Sequence, residues 1–195
     1  MYLRDCRNGD EGELMENNRL KRALPFSLTA LIIILDQAVK GIIVTKWPLQ
    51  GSLIRDVFSN EFLILYHVRN KAIAFSIGDN VAEPFRIILF IVVPVLVLIF
   101  LSWYYLQSSE FTGLQRWAIA GIIGGGVGNI IDRIFRKDGV VDFISVKFYG
   151  LFGLQRWPTF NIADASVVIC CLILLVTMLF PGDKNPANKK EFSDE

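Results

Sequence analysis

Two aspartates in apolar surroundings raise the question of chemistry. Asp142 stands in GVVDFISV, and Asp164 stands in FNIAD, three residues after Asn161. Two carboxyl groups brought together away from water cannot comfortably both ionise, so one keeps its proton while the other is free to act as a base on water. That is the arrangement of an aspartic peptidase. The same residues admit another reading, because acids inside membrane segments also carry protons or ions. Asp36 and Lys40 lie four apart with the acid first, which places them on one helical face in the better order for a pair. They either neutralise each other so that the helix inserts, or organise a polar site. Asn129, Asp132 and Arg133 close the stretch GGGVGNIIDR. Asn129 is the deepest of the three and needs a partner.

Other chemistries find less support. The one histidine, His67, sits in a strand-like run, and no GxSxG elbow is present for a Ser-His-Asp enzyme. There is no HExxH and no Cys/His spacing suited to zinc, so no metal is expected. GGGVGN lacks the GK[ST] of a phosphate loop. Of three cysteines, Cys6 is in a polar head and Cys170 and Cys171 are adjacent in an apolar run. They read as small apolar fillers, not a disulfide framework.

The elements that position these residues are membrane spans. The 195-residue chain is 53% apolar and 20% charged, with a net charge of +1; both tails are polar, while several interior stretches carry almost no charge. That balance excludes disorder and offers no basic track for nucleic acid. Four runs reach the ~20 apolar residues a bilayer requires: Phe26 to Thr45, Pro84 to Leu106, Leu114 to Ile134, and Phe160 to Phe180. The first follows Arg19, Lys21 and Arg22 but is interrupted by Asp36 and has no A-x-A site after it, so it reads as an uncleaved anchor. Gly121 with Gly125, and Gly124 with Gly128, form two overlapping GxxxG patterns that allow close helix approach.

Four spans place both termini on one side. Lys and Arg are divided almost evenly between the two sides, so orientation rests on the basic cluster before the first span, which favours cytoplasmic termini. Segments 46–83 and 135–159 then emerge together on the opposite side, where Asp142 and Asp164 can meet. The first of these segments contains EFLILYHV and KAIAFSI, both apolar enough for strands. The organisation expected is a polar head at 1–25, a membrane domain at 26–180 and a polar tail at 181–195.

Five blocks in order resemble the lipoprotein signal peptidases, or signal peptidase II, of bacteria: LDQAVK, NKAIAFS, GGGVGNIIDR, VVDF and FNIAD. The likeness covers residues 26–180. It implies an all-α membrane protein with four transmembrane helices and a small extracytoplasmic β-cradle, working in the bacterial inner membrane. It implies an aspartic endopeptidase that cuts the signal peptide from a prolipoprotein just before a diacylglyceryl-modified cysteine. No cofactor is implied; the partners are the lipidated substrate and membrane lipid, with a monomer favoured. The resemblance maps the catalytic pair onto Asp142 and Asp164. Supporting positions fall on Asp36, Lys40, Asn70, Gly125, Asn129, Asp132, Arg133 and Asn161. Two departures stand out: Lys71 replaces the glycine usual after the asparagine, and the stretch from Asp132 to Asp142 is one residue longer than common. The residues themselves leave two alternatives open, a small proton- or ion-coupled transporter and a non-catalytic membrane scaffold. The internal repeats expected of the first are not visible.

Overall fold

The computed structural model describes Leu20 and residues 22–48, 50–70 and 83–180. Four helices long and apolar enough to cross a membrane carry the chain back and forth. They are α1 (Phe26–Lys46), α2 (Phe85–Gln107), α3 (Gly113–Phe135) and α4 (Ile162–Leu179). The ends agree with the apolar runs to within a residue or two. The largest difference is at the fourth, where Asn161 caps the helix instead of lying in it. α3 starts on a capping box: the Thr112 side chain accepts the Gln115 N–H, and Gln115 Oε1 accepts the Thr112 N–H. α2 contains a π-helical turn at Ile88–Val92. Pro94 follows it, and a proline has no N–H to return to the carbonyl of Phe90, so the ladder is re-spaced there.

α3 is the central element. Of its apolar window 61% is buried inside the protein, against 6% for α2. Its glycines sort its neighbours. A Cβ at Gly124 would press on the Thr29 backbone at 3.1 Å, and one at Gly128 would meet Asp36 Oδ2 at 2.9 Å, so this pair faces α1. A Cβ at Gly121 would strike Cys170, and one at Gly125 the Ala163 carbonyl and Ser166, so the other pair faces α4. The two GxxxG patterns therefore serve two different helices.

Three strands form an antiparallel sheet in the order β1 (Leu53–Asp56), β2 (Leu63–Asn70), β3 (Val140–Val146). β2 lies within and just beyond EFLILYHV. KAIAFSI lies outside the described residues, as do most of the polar head and the whole of the tail. β3 carries Asp142 opposite Val68, and it was not legible as a strand. Val141 and Phe143 of β3 pack on Ile43 of α1, seating the sheet on the bundle. At the other end, Tyr105, Ile119 and Ile123 form an apolar cluster, and the Tyr105 hydroxyl donates to the Arg22 carbonyl at 2.6 Å.

Candidate active site

Asp142 is 1% exposed. It sits in β3 because β2 and β3 pair in a register that brings Asn70 within reach, and Asn70 Nδ2 donates to Asp142 Oδ2 at 2.9 Å. Asp164 occupies the third position of α4 and is half-buried. Asn161 caps that helix: its Oδ1 accepts the Asp164 N–H at 2.9 Å, and its own N–H donates to Asp164 Oδ2 at 3.1 Å. The cap leaves the Asn161 amide group free to point elsewhere. Its Nδ2 donates to Asp142 Oδ1 at 2.7 Å and to Asn129 Oδ1 at 3.1 Å. Asn129 Nδ2 in turn donates to Asp164 Oδ1 at 2.7 Å. Every oxygen of the two carboxyl groups is thus held by an amide N–H from one of three asparagines.

Burial pushes the Asp142 carboxyl up to about 7, and the nearby Asp164 charge adds to the effect. Hydrogen bonds from Asn70 and Asn161 and the charge of Lys40 pull the other way without cancelling it. A carboxyl group in that range can hold or release a proton under ordinary conditions, as acid–base catalysis requires.

A second pair of carboxylates lies beneath the first. Asp36, Lys40 and Asp132 are each 0% exposed. Lys40 Nζ reaches Asp36 Oδ2 at 2.7 Å, Asp132 Oδ2 at 3.2 Å and Asn129 Oδ1 at 3.1 Å. The far oxygen of Asp36 accepts the Ala163 N–H at 3.0 Å, and Asp132 Oδ2 accepts the Val141 N–H at 3.0 Å. Ala163 and Val141 are the residues directly before Asp164 and Asp142. The lower cluster therefore fixes the backbone at the approach to each upper aspartate, and through Asn129 it fixes a side chain between them.

The structure brings together eight of the ten residues singled out in the sequence: Asp36, Lys40, Asn70, Asn129, Asp132, Asp142, Asn161 and Asp164. Arg133 stands at the rim, its Nη1 donating to the Asn129 carbonyl at 3.4 Å, and its charge acts on both Asp164 and Asp142. Gly125 touches neither aspartate; it is where α3 meets the first turn of α4. Two further participants went unremarked. Gln37 Nε2 lies 3.2 Å from Asp36 Oδ2, 3.0 Å from the Gly128 carbonyl and 3.0 Å from Asp132 Oδ1. Arg136 pairs with Asp132, and the i, i+4 spacing was the available signal. Lys71, the departure beside Asn70, lies outside the described residues. His67 is buried in the sheet with Nδ1 against the Trp47 carbonyl at 2.7 Å, away from the pair.

Known proteins share both the sequence and the fold. Residues 28–180 match the family described as signal peptidase (SPase) II. The lipoprotein signal peptidase of Treponema denticola is 46% identical over 168 residues, covering 86% of this chain and 95% of the relative. That of Treponema pallidum is 40% identical over 80% of this chain and 83% of its own length, and that of Borreliella burgdorferi is 45% identical over 76% and 85%. A solved bacterial membrane enzyme determined in meso is 26% identical, with a TM-score of 0.66 over 89% of this chain and 95% of its own. A second such structure gives 25% and 0.68 over 82% and 95%.

Proposed function

The chain belongs to the signal peptidase II family, and from that premise we propose that Asp142 and Asp164 are the catalytic pair with which this membrane peptidase removes signal peptides from prolipoproteins. The observation that carries the assignment is the amide cage. All four carboxyl oxygens are held by Asn70, Asn129 and Asn161, and among the described residues no Lys or Arg nitrogen pairs with either aspartate. Amides orient carboxyl groups without fixing their charge.

The mechanism follows from the environments of the two acids. Asp142, fully buried, holds the proton; Asp164, the more exposed, is the base. Asp164 takes a proton from a water as its oxygen attacks the scissile carbonyl carbon, while Asp142 gives its proton to the carbonyl oxygen. The resulting gem-diol collapses. Asp142 recovers a proton from a hydroxyl, Asp164 protonates the departing amine, and the C–N bond breaks to leave an acid and an amine. Arg133, at the rim, adds positive potential where negative charge develops.

The site lies at the end of the bundle that carries the sheet. With cytoplasmic termini, this end faces the outside of the bacterial inner membrane. A peptide bond cut there must be held at interfacial depth. An acyl chain contributes ~0.8 kcal/mol per buried CH₂, so a diacylglyceryl group on the cysteine after the scissile bond supplies that hold. The test compares one precursor with and without the lipid, at equal concentration, on purified protein in detergent. Cleavage is expected only of the lipidated form; equal cleavage of both would replace this reading with a general intramembrane aspartic peptidase.

A further inference from the structure

The sheet ends in an exposed aromatic tip that the catalytic reading does not use. Two loops distant in sequence meet there. The turn 57–62 and the hairpin around the short helix Leu151–Gly153 are joined by Lys147 N–H to the Phe62 carbonyl at 2.8 Å, and by Arg156 Nη1 to the Glu61 carbonyl at 2.8 Å. Phe58, Tyr149, Leu151 and Phe152 are all exposed, Phe152 at 84% and Tyr149 at 70%. Phe148 links the rings of Phe152 and Trp157, with centroids 6.5 and 5.0 Å away.

Backbone strain is concentrated at the same place. Among the described residues the non-glycine positions with positive φ are Ser59, Glu61, Tyr149 and Phe152, and all four lie in these two loops. Left-handed backbone is unfavourable for a bulky side chain, so its persistence at Tyr149 and Phe152 points to a use for the rings they turn outward.

We propose that this tip is a membrane-interface anchor, seated among the phosphate groups and upper acyl chains of the leaflet on the site's side. Three features select lipid as the occupant. Exposed Trp157 and Tyr149 beside the exposed apolar Phe58, Leu151 and Phe152 is the composition of an interfacial belt, with amphipathic rings at headgroup depth and apolar side chains just below it. The tether is short: Ile162, the first residue of α4, follows Trp157 after four intervening residues, which limits the reach to ~17 Å even when extended. Phe160 also bonds to Ile144 in both directions, so the segment leading from the tip is fastened to β3 just before it enters a span. The anchor would set the height and tilt of β3, and hence of Asp142, relative to the lipid surface.

The test places a photo-crosslinking residue at the tip of the full-length protein, Phe152→p-benzoylphenylalanine, in vesicles of phosphatidylcholine and phosphatidylglycerol. Phe100→p-benzoylphenylalanine, on the exposed face of α2, is the lipid-facing reference. Lipid adducts at position 152 are expected within about three-fold of those at position 100. A second probe at Tyr149 guards against a local failure to fold and should label lipid likewise. Adducts to a second copy of the chain, or no lipid adduct at 149 and 152 while position 100 labels, would overturn the proposal.

Discussion

Two pairs of carboxylates lie one above the other at the same end of the bundle, and they are held in opposite ways. Asp36 and Asp132 are held by cations, with Lys40 between them and Arg136 on Asp132. Asp142 and Asp164 are held by three asparagines. The cation-held pair serves as a foundation, bonding the N–H groups of Ala163 and Val141. The amide-held pair keeps its geometry while remaining free to pass a proton. Burial alone does not make an acid catalytic; what compensates the burial decides whether it supports structure or does chemistry.

Substitution should break that distinction in graded steps. Asp142→Asn and Asp164→Asn remove the acid and the base, and each should lower kcat by about 10⁴-fold or more while the protein remains inserted and folded. Near-normal turnover in either, measured on lipidated precursor, would abolish the division between the pairs. Lys40→Met acts on the foundation instead. It leaves Asp36 and Asp132 buried without their shared cation, a loss of ~3–5 kcal/mol in stability. Thermal unfolding in detergent should register this, and adding Asp36→Asn should restore part of it. An unchanged Tm would mean that the lower cluster is not a foundation. Gln37→Leu removes a neutral bridge between Asp36, Asp132 and the Gly128 carbonyl. It should lower kcat by only about ten-fold, with KM little altered, because it disturbs positioning and not binding.

Much of this arrangement was legible from sequence because membranes make charge conspicuous. Four apolar runs stood out, and the polar residues interrupting them were few enough to name. The Asp36–Lys40 spacing and the GxxxG patterns followed from helical geometry alone. Partnerships across the chain did not. Nothing in VVDFISV announced a strand paired to β2, since a short apolar run fits strand and helix equally. The apolar run Phe160 to Phe180 places Asn161 inside a span, whereas it is the cap, and capping is what frees its amide to reach Asp142. Gln37 lay in plain view in LDQAVK, but only the approach of α1 to α3 at Gly128 shows what it bridges. The aromatic tip is likewise assembled from residues about ninety positions apart.

The most direct test of the distinction is the pH dependence of cleavage, with stability followed in parallel. Asp142 is raised to about 7, so it holds its proton below that value and loses it as pH rises through it. The folded protein then binds this proton more tightly than the unfolded chain, and the stability it contributes is lost as pH climbs toward about 7. Activity on lipidated precursor should therefore fall on the alkaline side of about 7 as the pair loses its shared proton. Below that value, between the ordinary carboxylate range and about 7, Asp142→Asn should show a flatter dependence of Tm on pH than the unsubstituted protein. A rate that stays level from neutral pH to well into the alkaline range, with the same Tm slope in both proteins below about 7, would contradict a proton-sharing pair at Asp142 and Asp164.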